Sequence, residues 1–390
     1  MGISPTATPA FSPEVTTFQR GTLKRFRCFA RMNQVLHRYL IDAAPKETKI
    51  CAGLVYTPCL ESGITRKQGK RGFLYYLPDG RRITDKNEVA RLNALAIPPA
   101  YRDVVISTNP QSHLQAVGID ARDRKQYRYH TDWHAERGRA KFERLADFGS
   151  KLPDIRERVD TDLRARGLTM DKALATIVWM LDNLYIRIGN SNYADTNGSY
   201  GLTTLRNRHV KIDGPSVRFR FRGKSGKEWN LIHSDRRIAN VVRKLQELPG
   251  QQLFKYICDD AGCRQISSQD VNAYIREVAG DDFSSCQFRT WGATCMAASA
   301  LALLDVATSE RAIARQLNEV IDTVAAKLVN TRSVCRTSYI HPAVFDDYRA
   351  GRLGDILKMR KTTSKRLLNW MDDEEIRTLR WLKSRPVGGA

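Results

Sequence analysis

Val217-Arg218-Phe219-Arg220-Phe221-Arg222-Gly223-Lys224-Ser225-Gly226 is the stretch on which the fold turns. Val217, Phe219 and Phe221 alternate with three arginines, the period-two pattern of a strand with one face buried and the other in solvent. Gly223-Lys224-Ser225-Gly226 supplies turn residues and marks the tip of a hairpin. His209–Ile212 and Glu228–Ile232 flank this strand and complete a small three-stranded antiparallel sheet. The same residues exclude one ligand. A phosphate-binding P-loop needs glycine five residues before Gly223, where Arg218 stands, and a helix after the triplet, where a strand follows.

Outward from the hairpin, on both sides, the period lengthens to that of helices. Ala173–Ile186 is an apolar helix, and Trp133–Phe148 reads as a helix carrying Arg137, Arg139, Lys141 and Arg144. Downstream, Ile238, Val241, Val242 and Leu245 mark one helix face, stopped by Pro249-Gly250. Val271–Val278, Thr290–Leu304, Arg311–Leu328 and Asp373–Leu382 read as further helices. Residues 51–130 are different: Phe73–Leu77 before the turn Pro78-Asp79-Gly80, Val104–Ile106 and Gln126–Tyr129 are short strands, with a helix at Glu88–Leu95. Residues 1–50 form an extension, rich in Pro, Ser and Thr over Met1–Thr17, with a short basic helix at Thr22–Leu40. The expected fold is therefore α+β: a small β-rich domain over 51–130 and a larger, mainly helical domain over 131–390.

The chain has 390 residues, with 64 Lys plus Arg against 42 Asp plus Glu, for a formal charge of +22. Such an excess favours a polyanion, and nucleic acid before an anionic membrane surface. No apolar run reaches the roughly 18 residues of a membrane span, and secretion is not expected. Cys28, Cys51, Cys59, Cys258, Cys263, Cys286, Cys295 and Cys335 are scattered without a CxxC pair. Neither a zinc site nor a disulfide framework is expected, and a cytoplasmic setting is. HExxH, EF-hand, GxSxG and dinucleotide-binding fingerprints are absent from the sequence.

Arg187, Lys224, Arg289 and Tyr339 follow one another through the helical half. Two arginines, a lysine and a tyrosine are what phosphodiester exchange without a metal requires. Guanidinium forks match pairs of phosphate oxygens and balance the extra charge of the five-coordinate transition state. A lysine on a hairpin tip reaches into a groove and donates a proton to the leaving oxygen. A tyrosine nucleophile stores the bond energy in a covalent link, so resealing needs no ATP. Each residue also has a plain structural reading. Arg187 can bond carbonyls at a helix end, Lys224 can be a solvated turn lysine, Arg289 can be an ion-pair partner, and Tyr339 can be a half-buried core residue.

The local sequences around these residues resemble the type IB DNA topoisomerases of the poxvirus and bacterial branch, from about Ala52 to Arg360. The motifs are DRKQYRYH (123–130), IRIGNSNYA (186–194), GLTTLRNRHV (201–210), FRFRGKSGK (219–227), LPGQQLF (248–254), SSQDVNAYIRE (267–277), FRTW (288–291) and NTRSVCRTSYIHP (330–342). The resemblance implies relaxation of supercoiled duplex DNA through a 3′-phosphotyrosyl link, by a monomer, with no ATP and no metal, in the cytoplasm at the nucleoid. It implies that Tyr339 is the nucleophile, that Arg187 and Arg289 clamp the scissile phosphate, and that Lys224 is the general acid. Asn330 would donate a hydrogen bond to a phosphate oxygen. A C-shaped clamp is implied, with Arg124, Gln126, Tyr127 and Tyr129 touching DNA from the small domain and Tyr193, Lys211, Ser267 and Ser268 as further contacts.

Two departures stand out. The family reads Lys-Asp before Phe-Arg-Thr-Trp, where this chain has Cys286-Gln287, and the loss of that cation predicts a slower enzyme. The family's Trp-Ala-Gly-Thr becomes Trp291-Gly292-Ala293-Thr294, an exchange between small residues that is expected to be tolerated. Two alternatives remain: a tyrosine recombinase, against which stand the missing His-x-x-Arg motif and the DRKQY-bearing N-terminal domain, and a catalytically weakened DNA-binding clamp, whose support is Cys286-Gln287.

Overall fold

A computed structural model of the chain describes residues 53–385, apart from 58, 61, 71, 122, 259–261 and 361. The extension over 1–50, its helix at Thr22–Leu40, Cys28 and Cys51 lie outside the described residues. The fold is mixed α and β, and the chain divides into two units, up to Glu136 and from Arg137 onward.

The first unit is a five-stranded antiparallel sheet. Its strands are β1 (Ile64–Gly69), β2 (Gly72–Tyr76), β3 (Arg102–Ile106), β4 (Leu114–Ile119) and β5 (Lys125–Tyr129), in the order β2-β1-β3-β4-β5. The expected turn after β2 closes through Gly80 N–H donating to Leu77 O at 2.9 Å. Helix α1 (Lys86–Ala94) starts at Asp85, whose carboxylate caps it by accepting from Glu88 N. Ile64, Tyr75, Leu92, Val104, Ile106 and Ala116 close one core between helix and sheet. Sequence patterning missed β1 and β4. Only Ile64 of β1 is fully buried, and β4 is buried from Leu114 through Gly118, so neither strand alternates cleanly.

The helices run from α2 (Thr131–Glu143), which spans the unit boundary, through α3 (Leu145–Arg164), α4 (Met170–Leu184) and α5 (Ser191–Asn197). The helix expected over Trp133–Phe148 is thus two helices, parted at Arg144. Leu145, Phe148, Leu152, Ile155 and Val159 form an apolar stripe at helical spacing, and the break lets this stripe enter the core. Next comes the hairpin sheet, β6 (Val210–Asp213), β7 (Ser216–Arg222) and β8 (Glu228–Ser234), antiparallel in that order. Along β7 Val217, Phe219 and Phe221 are buried and Arg218, Arg220 and Arg222 exposed. There follow α6 (Arg236–Glu247), the short pair β9 (Lys255–Ile257) and β10 (Cys263–Gln265), α7 (Ser268–Ala279), α8 (Cys286–Ala302) and α9 (Glu310–Lys327). The chain closes with α10 (Arg332–Ser338), α11 (Pro342–Arg349), a 3-10 segment at Leu353–Arg360, α12 (Lys365–Trp370) and α13 (Asp373–Ser384).

Helix α8 is buried on every side from Phe288 to Cys295. Burying a side chain as large as Trp291 contributes on the order of 3 kcal/mol. Its indole N–H donates to Glu375 at 2.9 Å. Arg156 bonds both Glu375 and Asp182, so one buried ionic network ties α3, α4, α8 and α13 together. Burial opposes the charge on Glu375, but Arg156 and the Trp291 N–H hold its carboxyl below the usual range.

Candidate active site

The site is built from the ends of helices. Helix α4 stops at Tyr185, which adopts a left-handed conformation with φ 55°. The chain then leaves regular structure and runs through buried Ile186 to half-buried Arg187. Leu202 N donates to Arg187 O at 2.9 Å and Thr203 N to Ile188 O at 2.8 Å, which fixes this segment against the 201–204 loop. The approach is so close that a Cβ on Gly201 would lie 2.5 Å from Gly189 and 2.6 Å from Arg187 O. The glycines of IRIGN and GLTT therefore serve one purpose, to let two backbones touch beneath Arg187.

Arg289 stands in the first turn of α8 and is 3% exposed. Its guanidinium donates to Tyr185 O and, at 2.8 Å, to Leu328 O at the end of α9. Its Nε is buried with no partner. Burial, helped by the charge of Arg187, lowers its pKa to about 10, so it stays charged at neutral pH. Gly292, one turn on, faces Tyr185: a Cβ there would lie 2.3 Å from the ring. The Gly-Ala order of this chain is thus dictated by Tyr185, whose carbonyl holds Arg289. Residue 293 is fully buried as alanine.

Past α9, Val329 has φ 48°, a strained value for a β-branched residue, and it carries the chain to Asn330. The Asn330 Nδ2 is buried and unpartnered. Helix α10 then ends at Tyr339. Thr294 of α8 grips the backbone here: its Oγ1 accepts from His341 N at 3.1 Å and shares its proton between Thr290 O at 2.8 Å and Tyr339 O at 3.3 Å.

These pieces converge on one phenol. Arg187 Nη2 donates to Tyr339 Oη at 3.3 Å, and the Arg289 guanidinium lies over the Tyr339 ring, 5.0 Å from its centre. Burial would raise the phenol pKa, but the charges of Arg289 and Arg187 prevail and lower it. Lys141 of α2, to which sequence reading gave no role, lies over the same ring at 5.0 Å. Nothing in its local sequence marks it, because its neighbours in space lie almost two hundred residues downstream.

Lys224 is not in this cluster. It is exposed at the tip of the β7–β8 hairpin, and among the described residues no hydrogen bond or ion pair joins it to Tyr339, Arg187 or Arg289. The tip itself is tight: Gly223 N donates to Lys227 O at 2.7 Å, and a Cβ on Gly223 would lie 2.8 Å from Trp229. Within the first unit, Arg124 and Gln126 converge on Asp120, bonding its carboxylate at 2.7 and 2.9 Å. Tyr127 and Tyr129 stack with centres 6.3 Å apart, and Tyr127 is 48% exposed. Tyr193 and Lys211 are exposed. Ser267 caps α7 and bonds Asp270, with Ser268 beside it.

The family model for the catalytic core of eukaryotic DNA topoisomerase I matches residues 130–366, and that for the N-terminal domain of bacterial DNA topoisomerase IB matches residues 72–120. The chain is 30% identical over 288 residues to DNA topoisomerase 1B of Acanthamoeba polyphaga mimivirus, covering 72% of this chain and 86% of that protein. It is 26% identical over 201 residues to DNA topoisomerase 1B of vaccinia virus (strain Copenhagen), covering 47% of this chain and 63% of that protein. With DNA topoisomerase 1 of Schizosaccharomyces pombe the identity is 25% over 156 residues, 40% of this chain and 18% of that protein.

Proposed function

Because this chain belongs to the type IB DNA topoisomerase family, we propose that it relaxes supercoiled duplex DNA by cutting and rejoining one strand through Tyr339, without ATP or metal. The observation that carries this reading is the Tyr339 phenol, bonded by Arg187 and overlaid by Arg289.

In the first step the Tyr339 Oη attacks the scissile phosphorus in line. An Oη–P bond forms as the P–O5′ bond breaks, leaving a 3′-phosphotyrosyl link. The phenol gives up its proton on the way, which the two guanidinium charges favour and Arg187 assists. Arg187 and Arg289 clamp the nonbridging oxygens and balance the charge of the transition state. Arg289 Nε and Asn330 Nδ2 are buried donors with no protein partner, and phosphate oxygens would satisfy both. Lys224 reaches the leaving oxygen when the hairpin meets DNA and supplies the proton O5′ needs. Religation reverses each step. The bonds exchanged are both phosphodiesters, so no outside energy source is required.

The proposed partner is duplex DNA, supercoiled for preference, held by a monomer at the nucleoid. The two units would close on the duplex as a clamp, with Arg124, Gln126, Tyr127 and Tyr129 on one side and Tyr193, Lys211, Ser267 and Ser268 on the other. A formal charge of +22 and the exposed arginines of β7 support this. Trapping tests the chemistry. DNA labelled on the strand 5′ of the cut and quenched in detergent should migrate with the protein through a 3′ link, and Asn330→Ala should form this adduct about tenfold more slowly, the cost of one lost hydrogen bond. An adduct formed through the 5′ end would contradict the assignment.

A further inference from the structure

Lys141 also faces Tyr339, and nothing in the mechanism above uses it. Its Nζ lies 5.0 Å from the centre of the Tyr339 ring and donates to the carbonyl of Ser338, the residue before the tyrosine. Phe142, next along α2, meets His341 edge to face with centres 5.3 Å apart. Helix α2 therefore grips the chain on both sides of Tyr339. Burial lowers the pKa of Lys141, with Tyr339 and Cys286 opposing the shift and Arg289 adding to it. Among the described residues no carboxylate pairs with Lys141. An ammonium withdrawn from water without an anion is costly. The anion its position provides for is the phenolate that Tyr339 becomes.

We propose that Lys141 is a positioning residue for the nucleophile: it pins the Ser338–Tyr339 backbone from α2 and sets a positive charge against the ring that favours the phenolate over the phenol. The proposal rests on the reading of Tyr339 as the nucleophile. The proton released passes to solvent, with no further reactant. Such a contact is stronger in the charged state than in the neutral one, and only contacts of that kind accelerate a reaction. The charged and titratable groups around the phenol are Arg187 after α4, Arg289 of α8, Cys335 of α10 and Lys141 of α2, with Cys286 beside Lys141.

The test is a titration of the full chain without DNA. Tyrosine labelled with carbon-13 at Cζ reports each phenol by NMR, and Tyr339→Phe assigns the resonance. Lys141→Met and, as a second neutral variant, Lys141→Gln should raise the Tyr339 midpoint by about one pH unit, and Lys141→Arg should hold it near the wild-type value. Single-turnover cleavage should slow by about tenfold in the neutral variants, more than DNA affinity falls, and recover in Lys141→Arg. A Tyr339 midpoint unmoved in the neutral variants, or moved equally by Lys141→Arg, overturns the role of Lys141 alone. A wild type that titrates as stated yet forms no covalent adduct overturns the functional reading, and this role with it.

Discussion

Arg289 shows how a single residue joins packing to the proposed chemistry. Two of its three nitrogens donate to backbone carbonyls at the ends of α4 and α9, and the third, Nε, is left over. A lysine has no planar fork and cannot hold both carbonyls while leaving a donor for phosphate. Arg289→Lys should therefore cost about 100-fold in single-turnover cleavage while the fold persists, a loss typical of one transition-state donor. Thermal melting and DNA binding would be measured beside the rate. A loss under about threefold would show that the position needs charge alone. At this scale the sequence singled out Tyr339, Arg187 and Arg289, and the three meet in space. Lys141 was not readable, because one lysine on a polar helix is indistinguishable from its solvated neighbours until the fold brings Tyr339 to it. Nor could the alanine–glycine exchange be judged from size. The ring of Tyr185 decides which of the two positions must lack a side chain.

Among the elements, α11 couples the Tyr339 segment to acidity. Its N-cap is His341, whose Nδ1 accepts from Ala343 N at 3.2 Å and so must be unprotonated. Burial, with the charge of Arg385 adding to it, lowers His341 to about 4. His209 is in the same position: its Nδ1 accepts from Arg206 N at 3.0 Å, and burial with the charges of Arg208 and Arg206 lowers it to about 4. Both folded values lie below the unfolded one of about 6.5. The stability these residues contribute is therefore complete above that unfolded value and is lost as the pH falls through the window toward 4. Melting temperature should decline from neutral pH to 4.5, and His341→Asn, which keeps a cap but does not titrate, should flatten that decline. An identical decline in the variant would contradict the assignment. Elements with a clean period, such as β7 and α6, were legible because burial alternates or recurs along them. Strands β1 and β4 and the short helices α10 to α12 were not, since long-range contacts rather than local period place them.

For the molecule as a whole, a charge of +22 on 390 residues predicts that phosphate neutralisation supplies much of the affinity for DNA. Affinity for duplex should fall by about 1,000-fold between 50 and 200 mM salt if about six phosphates are contacted. Arg218→Ala, Arg220→Ala or Arg222→Ala should lower the slope of log K against log salt by about one where that arginine touches a phosphate. A binding constant indifferent to salt would contradict the electrostatic account. Among the described residues no helix is long and apolar enough to cross a membrane. In the proposed reaction Tyr339 exchanges phosphodiesters with help from protein side chains only. The measurement that tests it most directly is relaxation of negatively supercoiled plasmid in EDTA, with no ATP, by the wild type and by Tyr339→Phe. The wild type should relax the plasmid completely and the variant not at all. Relaxation by Tyr339→Phe, or a wild type that binds the plasmid yet leaves it supercoiled, would contradict it.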